Sequence, residues 1–257
     1  MWEEPCISGK NGSGAVFFSG CSMGCVFCQN HPISSGRVGM EIDAERFKEI
    51  CFELKAAGVH NINLVTPSHY APIIAPALES IRPALDLPIV CNCSGYESDE
   101  ILDLMLGVTD VFLPDLKFYS REASQSLAGC PNYFEVAIKA ITRMVKKTGK
   151  PVFDKDDMLV SGTMVRHLVI PGYRKDSLEI VRELGERFDT DEILISLMSQ
   201  YVPNGNPKAP ARRVTSFEYD SVARAVTKLG FLGYVQVRSS ASEEYIPSFN
   251  LEGVTKE

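Results

Sequence analysis

Short, almost wholly apolar runs alternate with amphipathic stretches along most of the chain, and no other feature limits the fold as strongly. Residues 15–19, 61–65, 89–93, 111–116, 165–170 and 193–198 are rich in β-branched and aliphatic residues and read as strands. Stretches with apolar residues at helical spacing follow them: 42–57, where Phe47, Ile50, Cys51 and Leu54 form one face, then 70–85, 98–106, the pair 121–127 and 133–147, 176–188, and 217–229. Strands that are apolar throughout are buried on both faces, and strands separated by helices pair in parallel through right-handed crossovers. Six β/α units result, in a doubly wound sheet or a barrel, and a last strand-like stretch at 234–237 precedes a polar tail. No Pro/Ser-rich linker divides the 257 residues, a length at which α/β barrels form one domain. We expect a single domain over 1–257, with its core at about 13–238, an N-terminal extension 1–12 and a C-terminal tail 239–257.

Charge narrows the partners. With 26 Lys plus Arg against 33 Asp plus Glu, the net charge is −7, and no basic block is present. A nucleic-acid backbone or an anionic membrane is therefore not expected as a partner, whereas a basic peptide is compatible. The start of the chain carries acids and turn formers where a signal peptide needs a basic and then an apolar run, so a cytoplasmic location is expected. The longest stretch without periodic order, 201–216, leaves the end of the sixth strand, where barrel enzymes place their sites.

The eight cysteines are clustered, which in a reducing compartment points to metal or redox chemistry before disulfides. After the first strand, Cys21, Cys25 and Cys28 form C-x3-C-x2-C in a loop containing Gly20 and Gly24. Three soft thiolates satisfy three irons of a [4Fe–4S] cube and leave the fourth open to a ligand. The same loop also fits a zinc knuckle, because His31 would complete a Cys3His tetrahedron. Cys91 and Cys93 share one face of a strand as small core residues, with the barrel interior as the alternative for one of them, and Cys6 and Cys130 are isolated. His60 and His167 read as structural; His69, just past the second strand, is the histidine expected near the site.

The cysteine loop, with Phe27 directly before Cys28, resembles the C-x3-C-x-aromatic-C motif of the radical S-adenosylmethionine (SAM) superfamily. The stretch from Glu4 to Cys21, the block 61–67, the triplet Asp115-Leu116-Lys117 and the block 166–172 are similar to pyruvate formate-lyase activating enzyme homologues, so the resemblance spans about residues 3–200. It implies a partial (β/α)6 TIM-like barrel with short terminal extensions, one [4Fe–4S] cluster on Cys21, Cys25 and Cys28, and SAM chelating the open iron. It also implies reductive cleavage of SAM to a 5′-deoxyadenosyl radical that abstracts hydrogen from a protein or peptide, as in glycyl radical activation, with flavodoxin or ferredoxin as electron donor. Alternatives are the same chemistry on a small molecule, and a non-catalytic zinc or Fe–S protein.

Several strand ends carry the expected SAM contacts. Asp115 and Lys117 lie two apart and point to one face. In the activating enzymes the like-placed Lys meets the SAM carboxylate, and Arg166 matches an Arg used similarly. An ion pair, Asp115–Lys117 or Asp115–Arg166, is the structural alternative. Asn92 falls where the family often has a ribose-binding Asp. Thr66 and Ser68 stand where a Gly-Gly-Glu block usually meets the SAM amino group, and Gln200 stands where the activating enzymes carry a His. The ferredoxin-like insertion of many activating enzymes, with its second cluster, is absent between 42 and 61.

Overall fold

The computed structural model describes residues 4–236 and 249–254. In chain order the elements are α1 (Pro5–Ser8), β1 (Gly14–Phe17), α2 (His31–Ser34), α3 (Ala44–Ala56), β2 (Ile62–Val65), a 3-10 turn (Ser68–Tyr70) and α4 (Ala71–Leu85). There follow β3 (Ile89–Cys93), α5 (Asp99–Val108), β4 (Val111–Pro114), α6 (Arg121–Ala128), α7 (Tyr133–Thr148), β5 (Val152–Phe153) and β6 (Leu159–Leu168). The chain then forms α8 (Arg174–Arg187), β7 (Leu194–Met198), α9 (Ser216–Leu229) and β8 (Gly233–Val235).

Four helices, α3, α5, α6 and α9, start on a side-chain cap. Asp43, Ser98 and Ser120 accept a backbone N–H three residues on, and Thr215 with Glu218 forms a capping box. Gly129 and Gly230, both at positive φ, end α6 and α9.

Seven strands form one parallel sheet in the order β1-β2-β3-β4-β6-β7-β8, and among the described residues β1 and β8 are its two edges. This is the expected partial α/β barrel, with six β/α units and a seventh parallel strand. The expected strand 234–237 is shorter and shifted, ending at Val235; Val237 lies outside the described residues, as does most of the expected tail. Two features differ from expectation. β5 pairs antiparallel with the start of β6, so that strand begins at Leu159 rather than 165, and its first turns carry too many polar residues (Ser161, Gly162, Thr163) to read as a buried run. The N-terminal extension contains a helical turn, α1, whose Cys6 and Ile7 pack against Val90, Val111, Met164 and Leu194. These four alternate inward along their strands, so α1 plugs the floor of the barrel.

On the outer face Ile62, Leu64, Cys91, Cys93 and Phe112 meet Leu78, Leu102 and other residues of the covering helices. Cys91 and Cys93 are thus both core residues, and neither looks into the barrel. Each fully buried aliphatic side chain of this layer contributes roughly 1.5–3 kcal/mol. Among the described residues no helix is long and apolar enough to cross a membrane.

Candidate active site

Parallel register carries the polar residues to one end of the barrel. Val65 pairs with Asn92 and Asn92 with Leu113, and beyond β4 Asp115 bridges Arg166, which pairs with Ser196. Asn92, Asp115 and Arg166 therefore lie on the inner face, at the C-terminal end of the strands, where parallel barrels keep their sites. The loop holding Cys21, Cys25 and Cys28 leaves β1 at the same end. It is fixed by Gly20 N–H donating to Ile33 O at 2.9 Å and Val26 N–H to Leu127 O at 2.9 Å. Gly20 is required: its φ is +93°, and a Cβ there would stand 3.0 Å from His69 Nε2.

The three cysteines are free thiols, each partly accessible. Burial pushes the Cys25 thiol up to about 12; Lys117 opposes that shift, and Cys28 and Cys21 add to it. Burial also raises Cys28, with Cys21 contributing. The thiols thus share one electrostatic field with Lys117 beside them. Cys25 is costly as a thiolate unless a cation compensates it, and metal ligation deprotonates a thiol outright. Three mutually coupled soft donors on one loop fit a [4Fe–4S] cluster. Among the described residues no three His, Cys, Asp or Glu side chains gather as ligands of a single metal ion, and His31 is exposed at the start of α2. Phe27 is buried, its ring 6.0 Å from both Phe118 and Tyr201, so the motif's aromatic anchors the loop to the barrel wall.

Lys117 and Asp115 lie just past the last residue of β4 and are ion-paired with each other. Burial pulls the Lys117 ammonium down, but Asp115 and the Cys25 and Cys21 thiols outweigh it and hold it above its ordinary value, fully charged. The triplet is locked by Tyr133. Its hydroxyl accepts from Lys117 N–H at 3.0 Å and lies 2.7 Å from Asp115 O and 2.8 Å from Ser94 O. Tyr133→Phe is expected to cost about 1–3 kcal/mol by stranding these groups, measurable in a denaturant titration.

Arg166 does not pair with Asp115. Its Nε lies 3.2 Å from Glu4 Oε1, with both side chains nearly buried. Glu4 thus enters the barrel from the N-terminal extension, which sequence reading treated only as a matching block. Asn92 is half-buried, its backbone O accepting from Thr66 N–H at 2.8 Å. Thr66 adopts φ +59°, an uncommon conformation for a β-branched residue and a mark of local strain. Ser68 donates to Glu97 Oε1 at 3.0 Å. Gln200 faces the cysteine loop through its backbone O, which accepts from Gln29 Nε2 at 2.5 Å, while its own Nε2 lies 3.7 Å from Met198 Sδ.

The long loop 201–216 is strapped over this end. Asn204 donates to Val26 O at 2.9 Å, and Tyr201 to Pro210 O at 2.8 Å. Arg212 donates to both oxygens of Glu218 at 2.7 Å, and Glu218 also accepts from Gly172 N–H at 2.7 Å. The Arg212 guanidinium holds that carboxyl far below the usual range. Arg212 therefore serves the loop itself. His69 Nε2 lies 2.9 Å from Ser19 O beside the cysteine loop, as expected for its position. His60 accepts from Asn11 N–H at 3.2 Å, and His167 Nδ1 donates to Leu116 O at 2.6 Å; both serve structure. Glu4, Glu97 and Tyr133 were missed by sequence reading; Glu97 had a usable signal, since it follows the C-terminal end of the third strand.

Residues 15–185 match the sequence profile of the radical SAM superfamily. An uncharacterized protein of Methanocaldococcus jannaschii is 27% identical over 223 residues, covering 84% of this chain, and the chain spans 58% of that relative's length. Among solved structures, a radical SAM methyltransferase from Sphaerobacter thermophilus superposes with a TM-score of 0.62 at 16% identity, over 87% of this chain and 65% of that one. The FeFe-hydrogenase maturase HydG from Carboxydothermus hydrogenoformans gives 0.59 at 13% identity, over 91% and 56%. These two likenesses concern the fold.

Proposed function

Since the chain belongs to the radical SAM superfamily, we propose that it cleaves SAM reductively and uses the resulting radical to abstract hydrogen from a protein or peptide, in the manner of a glycyl radical activating enzyme. The observation that carries the reading is the C-x3-C-x-aromatic-C loop, with three coupled thiols beside the charged Lys117–Asp115 pair at the C-terminal end of the strands. A cluster held by Cys21, Cys25 and Cys28 would supply the electron that breaks SAM into methionine and a 5′-deoxyadenosyl radical, with a low-potential flavodoxin or ferredoxin as its source. The chain's own residues bind and orient. Lys117 and Arg166 offer charge-assisted hydrogen bonds to the SAM carboxylate, and Asn92 and Gln200 offer neutral ones to its ribose. Thr66 and Ser68 line the approach after β2. The loop 201–216 lies against the cysteine loop and shields the site from water. The activating-enzyme subclass rests on the sequence blocks at 4–21, 61–67, 115–117 and 166–172.

With dithionite and SAM under anaerobic conditions the protein is expected to release 5′-deoxyadenosine even without substrate. Oxygen is expected to abolish the activity. A fully iron-loaded protein that binds SAM yet forms no deoxyadenosine would defeat the proposal. Mass spectrometry of partner proteins after turnover separates a protein substrate, which acquires a radical-derived backbone cleavage or mass change, from a small one.

A further inference from the structure

Where the chain leaves β3, a cleft of about 420 Å3 opens, sharing Ser68 with the expected SAM approach. Ser22 of the cysteine loop and Ser68 border it, Tyr96 and Glu97 come from the turn after β3, and Ile101 and Val136 come from α5 and α7. Those two helices cover the outer face of the sheet, whereas Asn92, Asp115 and Arg166 lie on its inner face. The cleft therefore runs from the cysteine loop and Ser68 toward the outer helices, and Asn92, Asp115 and Arg166 are not among its lining residues.

Glu97 is only 7% exposed. Its Oε1 accepts from Ser68 Oγ at 3.0 Å, Ser94 N–H at 3.2 Å and Ser94 Oγ at 2.9 Å. Its Oε2 is buried with no hydrogen-bond partner. One oxygen is saturated and the other is empty, so the carboxylate is left needing a donor, and in a weakly polar surrounding a cationic donor compensates it best. Burial raises the Glu97 carboxyl above its ordinary value, and Lys117, whose ammonium is engaged by Asp115, offsets this only in part, so a cation bound beside Glu97 would favour its ionised form. Ile101, Val136 and Tyr96 line the same cleft and offer apolar and aromatic walls, one face of the Tyr96 ring being stacked on Tyr133. An unbranched alkyl stem with a positive head matches that combination: the stem packs on the walls, the head reaches the carboxylate, and a ring face adds a cation–π contact.

We propose that this cleft binds an alkylammonium group, from a lysine side chain of a peptide or from a free alkylamine, with Glu97 as its counter-ion. The assignment of that group to the substrate rests on the function proposed above. The chain's net charge of −7 favours the approach of a basic partner.

The test is calorimetric binding to the anaerobic, iron-loaded protein with two pairs of probes. n-Butylamine is compared with n-butanol, and a pentapeptide with a central lysine is compared with its Nε-acetylated form. The cationic member of at least one pair is expected to bind roughly tenfold to a hundredfold more tightly, and Glu97→Gln is expected to remove that preference. A preference confined to or larger in the peptide pair assigns a peptide source; one confined to or larger in the butylamine pair assigns a free amine. Ile101→Lys, which offers Glu97 an internal ammonium, is a second variant in which the preference must vanish. No preference in the unaltered protein, or one that survives in either folded variant, overturns the proposal. Binding is read without SAM or reductant, so this outcome is independent of whether deoxyadenosine is formed.

Discussion

Cys21→Ala, Cys25→Ala and Cys28→Ala are each expected to lose essentially all bound iron and all deoxyadenosine formation, whereas His31→Ala keeps both. The reasoning runs from the donor set. The loop brings three thiols into one field, and His31 stands exposed at the first residue of α2. A cube held at three corners cannot lose one: two thiolates leave two irons open, and the cluster breaks down. Iron and sulfide analysis of anaerobically purified protein, with the visible absorption of the brown cluster, reads the result directly. Four irons in His31→Ala and about none in the cysteine variants support the reading. One zinc in the unaltered protein, lost as completely in His31→Ala as in Cys25→Ala, would put a zinc knuckle in its place.

That loop was legible because its chemistry is local, three thiols within eight residues, and the barrel was legible because short apolar runs alternating with period-3.6 stretches need no tertiary information. What escaped was set by distant packing. Nothing in Pro5–Ser8 announces a helical turn, since four residues carry no periodicity; it exists because Cys6 and Ile7 fill the floor that Val90, Val111, Met164 and Leu194 leave open. Burial there raises the Cys6 thiol to about 11, as suits a core residue and not a ligand. The pairing of the charges escaped for the same reason. Spacing places Asp115 and Lys117 on one side, and they do pair, but that Arg166 turns to Glu4, 162 positions earlier (166 − 4), is fixed only once α1 docks. Arg212 is taken up by Glu218, six residues on, as the strap of its own loop.

Lys117→Ala and Arg166→Ala are each expected to weaken SAM binding roughly tenfold to a hundredfold while leaving the iron content intact, and the two differ in what else they disturb. A charge-assisted hydrogen bond to a carboxylate is worth on the order of 1.5–3 kcal/mol, which gives that range. Removing Lys117 leaves Asp115 partly exposed and able to recruit water, so folding stability should change little. Removing Arg166 strands Glu4, whose side chain is 5% exposed with neither oxygen hydrogen-bonded, and losing one partner of a buried pair costs about 3–5 kcal/mol. Arg166→Ala should therefore show a depressed unfolding midpoint that the double variant Glu4→Gln/Arg166→Ala partly restores, while the loss of SAM affinity persists in both. Equilibrium binding of SAM and thermal unfolding, measured on the same iron-loaded samples, separate the two effects. SAM affinity unchanged in Lys117→Ala and restored along with stability in the double variant would make both cations purely structural, Lys117 as the partner of Asp115 and Arg166 as the partner that draws the N-terminal plug into the barrel.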